Sequence, residues 1–357
     1  MSDYLHEEVV AEILKRLPVK TLLKFTSVCK SWYALITNPN FISLHLAHTT
    51  ESNRFYHLVI NYFTKSEFVL HNDNESFSEY KQLDLHSFSE FGNDVWMVGS
   101  CNGLICLSSP TFKRLIVWNP TIGEFITTSY TEICEGLTNF FGFGFDKKTS
   151  DYKVVRIVYA FANTASPPIA DIFELSSNSW KTVTGKNLHY DVNVIGRHVE
   201  LNGVFYWFVR LRNGRKKMIT SFDLSNEAFQ ELMPPHALAE IDENHSRLIV
   251  YSQSLAMVHY DKWKRCSIWV MKEYDAAKSW TQQYIIDLEN HGGFGRVLSV
   301  QGNGGIVIAK RDGEIASYDP QTQRVTPLGI DGRYFKVHSY TESLVLLKGK
   351  RNKVKQV

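Results

Sequence analysis

The sequence of 357 residues predicts a mainly β protein, a β-propeller of about six blades preceded by a small module of three helices. Three observations support this fold class. Apolar residues recur at helical spacing up to about residue 47. From residue 55, short runs rich in β-branched and aromatic residues alternate with turn signals. Finally, this second part contains an internal repeat of about 50 residues.

The N-terminal residues predict helices, because apolar side chains every four positions form one face. The first helix carries such a face: Leu5, Val9, Ile13 and Leu17. Asp3 is its expected N-cap, and Pro18 ends it because the residue before a proline avoids helical geometry. A short second helix follows, then a third that Ser27 is expected to cap. Phe41 and Leu44 indicate one further turn.

Three helices of this size enclose a very small core, and domains below about 40–60 residues are marginal without a metal, a disulfide or a partner. Residues 1–47 contain neither a metal-ligand spacing nor a cysteine pair. The apolar positions also exceed what one interior can hide. The sequence therefore predicts that another protein covers part of this module.

The β part repeats a turn flanked by two large apolar residues seven positions apart: Trp118–Phe125, Phe173–Trp180, Phe222–Phe229 and Tyr318–Val325. Met271–Trp280 fits with two inserted residues, and Leu70–Phe77 is a weak sixth copy. A period near 50 with one hairpin per unit is typical of kelch-type propellers, whose blades have four strands. A pair of β-sandwiches is the alternative.

The sequence also predicts where hairpin turns occur and which strands close the ring. Asn-Gly pairs at 102–103, 202–203 and 213–214 predict tight hairpins, since both turn residues must take positive φ. The final strands, 335–340 and 344–347, are expected to pair with the strand at 55–61 and close the ring.

Composition and charge exclude several classes of function. Lys and Arg total 39 against 37 Asp and Glu, so no overall field indicates nucleic acid or an anionic membrane as a partner. No apolar run is long enough to span a membrane, and the acidic N-terminus does not resemble a signal peptide. Five scattered cysteines fit a reducing compartment. We expect a soluble protein of the cytoplasm, the nucleus or both.

The sequence predicts no catalytic, metal or cofactor site. His residues are scattered without HxH or HExxH spacing, and no GxSxG is present. Glycines at 142–144 and 302–305 are interpreted as strand and hairpin residues rather than phosphate loops, because no helix follows them. Cys101 and Cys106 are interpreted as buried thiols. The basic stretches at 210–217 and 348–355 are interpreted as solvated.

Several segments resemble a known family. The stretch LKRLPVKTLLKFTSVCKSWYALI (Leu14–Ile36) resembles an F-box, although many F-boxes have Leu-Pro where this chain has Leu5-His6. SCNGLICL, VWNPTIGEF, FGFGFDKKTSDYKVV, NGVFYWF, SFDLSNEAF and SYDPQTQRV resemble, in order, segments of plant F-box proteins with a kelch-like F-box-associated domain, the S-locus F-box-like group included.

The resemblance implies the substrate-recognition subunit of an SCF-type ubiquitin ligase, a non-catalytic protein. Its F-box would dock on a Skp-type adaptor, and through it on a cullin-RING ligase, while the propeller binds a target protein. The implied adaptor-binding residues are Leu17, Pro18, Val19, Leu22, Leu23, Val28, Cys29 and Trp32, and Leu5, Val9 and Ile13 either dock with them or pack beneath them.

The predicted domains are an F-box at 1–47, a linker at 48–54, the propeller at 55–347 and a basic tail at 348–357. Two other functions stay open at this stage. One is a propeller enzyme, and the other is an interaction scaffold or a glycan-binding propeller.

Overall fold

The structure is a computed structural model, and it describes most of the chain. The described residues are 6–51, 56–61, 67–85, 88, 95–109, 114–129, 138–159, 168–184, 190–191, 198–211, 217–238, 245–261, 264–272, 279–287, 294–332, 335–345 and 352–353. Within these ranges, no helix has both the length and the apolar character needed to cross a membrane.

The N-terminal part of the described chain has four helices, one more than the sequence predicted: α1 (Glu7–Leu14), α2 (Val19–Phe25), α3 (Lys30–Ile36) and α4 (Pro39–Glu51). Where one further turn was expected, α4 has 13 residues and continues through 48–51, which were assigned to the linker. Phe41, Ile42 and His45 of α4 are buried. These core contacts span more than one turn, which explains why the helix is longer than predicted.

Two of the predicted caps are wrong. The N-cap of α1 is His6, whose side chain makes no capping hydrogen bond, rather than Asp3. The N-cap of α3 is Cys29, because its Sγ accepts a hydrogen bond from Trp32 N at 3.5 Å. Ser27 instead donates its hydroxyl to Lys24 O at the end of α2. Both helix starts are therefore later in the chain than the polar residues suggested.

The described residues then form these strands: β1 (Tyr56–Asn61), β2 (Glu67–Asn72), β3 (Glu79–Gln82), β4 (Trp96–Cys101), β5 (Leu104–Ser108), β6 (Arg114–Asn119), β7 (Glu124–Ser129), β8 (Thr138–Asp146), β9 (Asp151–Tyr159), β10 (Ile169–Glu174), β11 (Ser179–Thr184), β12 (Tyr190–Asp191), β13 (Val199–Leu201), β14 (Val204–Leu211), β15 (Lys217–Asp223), β16 (Ala228–Leu232), β17 (Ser246–Tyr251), β18 (Ser254–Asp261), β19 (Arg265–Met271), β20 (Trp280–Asp287), β21 (Phe294–Val300), β22 (Ile306–Lys310), β23 (Glu314–Asp319), β24 (Arg324–Asp331), β25 (Lys336–Tyr340) and β26 (Asn352–Lys353).

These strands make six sheets, numbered here in chain order. Their strand orders are β25-β1-β2-β3 for sheet 1, β26-β7-β6-β5-β4 for sheet 2, β8 to β11 for sheet 3, β12-β14-β15-β16 with β13 beside β14 for sheet 4, β17 to β20 for sheet 5 and β21 to β24 for sheet 6. Each sheet is built mainly from consecutive strands, as a propeller blade is. The predicted fold class, mainly β with about six blades after a helical module, is confirmed.

The predicted repeat is confirmed in five of its six copies. The paired anchors face each other across neighbouring strands: Trp118 and Phe125, Phe173 and Trp180, Phe222 and Phe229, Met271 and Trp280, and Tyr318 and Val325. The copy at Leu70–Phe77 is wrong, because Leu70 pairs with Lys81 while Phe77 lies in the turn with φ of 46°.

The hairpin predictions are confirmed at two Asn-Gly pairs. Asn102 and Gly103 have φ of 51° and 80°, and Asn202 and Gly203 have nearly the same values. The third pair, 213–214, lies outside the described residues. Positive φ at both positions matches the twist of the flanking strands, which is why Asn and Gly occupy these turns.

Chain closure is confirmed in part. Strand β25 pairs with β1, as predicted for 335–340. Residues 344–345 form no strand, and 346–347 lie outside the described part of the chain. The basic tail also differs from expectation, because β26 pairs antiparallel with β7, with Asn352 opposite Phe125.

The chain divides into two compact units. The first comprises residues 1–60, 65–131 and 338–357, and the second comprises 61–64 and 132–337. The first unit therefore contains the helices, sheet 2 and most of sheet 1. The second contains sheets 3 to 6.

In the first unit, the segment after β25 is buried although it has no regular structure. Ser343 is 0% exposed, and Leu344 and Val345 are also buried. The buried Asn119 donates Nδ2 hydrogen bonds to Ser343 O at 3.1 Å and Val345 O at 3.0 Å. These bonds satisfy carbonyl groups that have no strand partner, so the segment can be buried without the cost of unpaired polar groups.

In the second unit, one strand of each sheet contacts a strand of the next sheet: β8 with β13, β13 with β17 and β17 with β21. We call these four the inner strands. Apolar clusters lie between neighbouring sheets, with Trp207 between sheets 3 and 4, Met257 between sheets 4 and 5, and Ile308 between sheets 5 and 6. Each of these sheets thus buries residues against its neighbour.

A buried ion pair within sheet 3 is hydrogen-bonded to the turn between β15 and β16 of sheet 4. Asp146, 0% exposed, accepts hydrogen bonds from Lys153 Nζ at 2.7 Å, Ser225 Oγ at 2.6 Å and Thr149 Oγ1 at 2.7 Å. Lys153, 1% exposed, also donates to Glu227 Oε1 at 3.1 Å. Burial acts to raise the pKa of Asp146, but these hydrogen bonds outweigh it and hold that pKa well below its usual range.

Candidate protein-docking surface

The four helices enclose a buried core and leave other large apolar side chains exposed. The buried residues are Leu14, Val19, Leu22, Ile36, Phe41, Ile42 and His45. His45 Nε2 lies 2.9 Å from Leu17 O, which ties α4 to the α1–α2 turn. Large apolar side chains are exposed at Val9, Ile13, Val28, Tyr33 and Leu44. Exposed apolar groups on so small a module are typical of a surface that a partner covers.

Among the predicted docking residues that the structure describes, some are exposed, some are partly buried and two are fully buried. Val9 (44% exposed), Ile13 (49%) and Val28 (59%) present their side chains to solvent, and so do Pro18 and Cys29. Leu17, Leu23 and Trp32 are partly buried. Leu5 lies outside the described residues.

Val19 and Leu22 do not belong to an accessible surface. They are 2% and 0% exposed and form part of the helical core. Both fall on the apolar side of α2, and the sequence pattern alone does not distinguish a side chain facing the core from one facing a partner. Their substitution would damage the module itself, so they are unsuitable for testing docking.

The turn between α2 and α3 is locally ordered. Cys29 Sγ lies 3.1 Å from Ser31 Oγ, and it caps α3 through Trp32 N. These hydrogen bonds lower the pKa of the Cys29 thiol, with that from Ser31 as the largest cause. The rings of Phe25 and Trp32 pack with centroids 5.1 Å apart, which joins α2 to α3 beside the exposed Val28.

A polar joint connects the helices to sheet 1 within the first unit. Lys20 Nζ at the start of α2 donates to Tyr80 OH at 2.8 Å, and it lies 4.4 Å from the centroid of the Tyr80 ring. Tyr80 OH donates in turn to Glu342 Oε1 at 3.1 Å. Tyr56 of β1 stacks on Tyr80 with centroids 4.4 Å apart. Burial and the Glu342 carboxylate raise the pKa of Tyr80, so its hydroxyl stays protonated and able to donate.

We expect Tyr80→Phe to weaken this joint, because it removes the hydroxyl between Lys20 and Glu342 and leaves the ring stack in place. The stability lost should be about 1 kcal/mol, the usual net value of a hydrogen bond. Urea unfolding followed by tryptophan fluorescence measures the loss. Tyr33→Phe is the matched control, since Tyr33 is 57% exposed on α3. Equal stability of both variants would contradict the joint.

The sequence did not identify Lys20, Tyr80 and Glu342 as a group. Tyr80 lies 60 residues from Lys20 and 262 residues from Glu342, so no local spacing brings them together. Tyr33 and Leu44 were also not assigned to the docking set, although both are large and apolar. Across the described part of the chain, no group of three or more His, Cys, Asp or Glu residues is placed to hold a metal ion.

Comparisons with known proteins identify both parts of the chain. Residues 3–44 match the F-box domain family, and residues 46–345 match the F-box associated beta propeller domain family. A putative F-box protein of Arabidopsis thaliana is 29% identical, over 79% of this chain and 73% of that protein.

Two further Arabidopsis thaliana relatives give the same assignment. An F-box protein is 27% identical, over 92% of this chain and 88% of its own length. An F-box/kelch-repeat protein is 29% identical, over 77% of each chain. Since the two family matches together cover nearly the whole sequence, the chain belongs to the plant F-box proteins that carry an F-box-associated β-propeller domain.

Proposed function

We propose that this protein is the substrate-recognition subunit of an SCF-type (Skp–cullin–F-box) E3 ubiquitin ligase. The helices dock on a Skp-type adaptor, which connects them to a cullin-RING ligase, and the propeller holds a target protein. The observation that supports this most directly is the set of exposed apolar side chains on a helical module that matches the F-box family.

The physical contribution of such a subunit is proximity. Holding a lysine of the target beside a ubiquitin-conjugating enzyme turns an encounter between free molecules into a reaction within one complex. This chain then needs affinity at two surfaces and a defined orientation between them, and no catalytic group of its own. We place this activity in the cytoplasm, the nucleus or both.

Docking on the adaptor should use the exposed apolar residues. Val9 and Ile13 lie one helical turn apart on α1 and share a face. Val28 and Pro18 lie in the turns on either side of α2. Leu17, Leu23 and Trp32 can add contact through their partly exposed surface. Val19 and Leu22 support these positions from within.

Co-expression of the full chain with a Skp-type adaptor tests the proposal, with size-exclusion chromatography as the measurement. We expect the two chains to co-elute, and the purified complex to assemble with a cullin-RING module and transfer ubiquitin to this chain or to a bound target. A folded full chain that elutes apart from the adaptor would overturn the proposal. Normal co-elution without assembly on the cullin would instead favour a scaffold outside the ligase.

A further inference from the structure

Two arginines in the second unit lie on neighbouring inner strands. Arg247 belongs to β17 and Arg296 to β21, the first strands of sheets 5 and 6, and these two strands contact each other. Both side chains are partly buried. They are therefore withdrawn from bulk water but still reachable from solvent.

Both guanidinium groups are held by backbone carbonyls. Arg247 Nη1 donates to Val297 O at 3.1 Å, and Arg296 Nη2 donates to Phe335 O at 2.8 Å. The hydroxyl of the buried Tyr260 accepts a hydrogen bond from Val297 N at 2.7 Å, which fixes the same stretch of backbone. These contacts orient each guanidinium group. A guanidinium has five N–H donors, so most of its donors stay available for other hydrogen bonds.

The two charges have no acidic partner in the part of the chain that the structure describes. Burial lowers the pKa of Arg247, and burial together with the charge of Arg247 lowers the pKa of Arg296. Elsewhere in the same unit, burial and the charge of Lys336 lower the pKa of His198 to about 4. The surroundings of Arg247 and Arg296 therefore destabilise their positive charges.

Other buried cations of the same unit are neutralised. Lys153 donates to the buried Asp146 at 2.7 Å, and Arg156 Nη2 donates to Asp171 at 2.7 Å. A desolvated charge is costly unless it is paired. The fold meets this requirement for Lys153 and Arg156 with its own carboxylates. At Arg247 and Arg296, no carboxylate among the described residues does the same.

We propose that Arg247 and Arg296 form a binding site for an oxyanion, the phosphate or carboxylate group of a ligand. Guanidinium groups bind both kinds of oxyanion through paired N–H···O hydrogen bonds. That this oxyanion belongs to an acidic or phosphorylated segment of a target protein rests on the proposed function. The anion site itself does not.

Thermal unfolding of the isolated full chain tests the site, in sodium phosphate and in sodium chloride of equal ionic strength. At a phosphate concentration about ten times Kd, we expect the melting temperature to rise by about 2–4 °C relative to chloride. Arg247→Met and Arg296→Met should lose this rise without loss of stability in chloride, since each removes an unneutralised charge. A purely structural arginine would instead show reduced stability in both salts.

Arg324→Met is the matched control, because Arg324 is an exposed arginine at the start of β24 in the same unit. It should keep the full response to phosphate. If Arg247→Met fails to fold, Arg247→Lys replaces it, and we expect about tenfold weaker phosphate binding because a lysine lacks the planar fork. A phosphate response equal in the wild type and in Arg296→Met would overturn the proposal.

Calorimetry with three peptides of one sequence, carrying phosphoserine, aspartate or serine at one position, distinguishes phosphate from carboxylate as the preferred group. The serine peptide should bind at least tenfold more weakly than the preferred one. Because the adaptor is absent from these experiments, a negative result removes the anion site and leaves the ligase proposal unaffected. Failure of the co-elution experiment would leave the anion site unaffected.

Discussion

Replacing Val9 and Ile13 together by glutamate should abolish co-elution with a Skp-type adaptor and reduce affinity at least about 100-fold. The two side chains are 44% and 49% exposed, so their substitution leaves the helical core intact. Docking would bury their remaining apolar surface, and the substitution would force two carboxylates into the interface. A loss of about 3 kcal/mol corresponds to roughly a hundredfold, at 1.4 kcal/mol per tenfold.

The control for this variant carries the same change of charge elsewhere on the module. Ser43→Glu with Thr50→Glu places two carboxylates on exposed positions of α4. We expect it to bind the adaptor within a few-fold of the wild type. Circular dichroism should show equal helix content in both variants. If the Val9 and Ile13 variant binds normally, α1 is not part of the docking surface.

Asp146→Ala should destabilise the second unit by about 3–5 kcal/mol. The substitution leaves Lys153, 1% exposed, without its closest carboxylate, and breaking one partner of a buried ion pair typically costs this much. Since folded proteins are stable by only about 5–15 kcal/mol, this is a large share. Urea unfolding measures the loss. The double variant Asp146→Ala with Lys153→Met should be more stable than Asp146→Ala alone, because it also removes the buried charge that has lost its closest partner and keeps the more distant Glu227.

The pH dependence provides an independent measurement of the same carboxylate. The folded pKa of Asp146 is lowered, so its stabilising effect is complete above the unfolded pKa of about 3.9 and is lost as the pH falls below it. Wild-type stability should therefore fall more steeply than that of Asp146→Ala as the pH falls from about 4 to about 2. Parallel curves would contradict the role assigned to this ion pair.

The sequence predicted the parts of the fold that depend on local patterns. The pairing of Trp118 with Phe125, and of Phe173 with Trp180, follows from two apolar residues on either side of a short polar turn. The copy at Leu70 failed because a β-bulge at Leu70–His71 and a longer turn change the spacing. Period-2 patterns locate strands well, but they do not reveal such irregularities.

Local sequence patterns could not predict contacts between residues that are far apart in the chain. The burial of the segment around Ser343 depends on Asn119, which lies 224 residues earlier, and nothing in either stretch indicates the other. In the same way, the F-box resemblance placed Leu22 in the docking set, whereas its burial depends on how the four helices pack. The exposed residues of such a module become known only when its core is known.

The pairing of β25 with β1 has a consequence for synthesis of the protein. About 275 residues separate Asn61, where β1 ends, from Lys336, where β25 begins. At roughly 5–20 residues per second, a ribosome needs about 14–55 s to supply that last strand. During this interval one edge of β1, which includes the buried Leu58 and Ile60, lacks its partner. Unpaired strand edges promote aggregation, so we expect the exposed edge of β1 to be the part of the nascent chain most prone to aggregation until β25 has been synthesised.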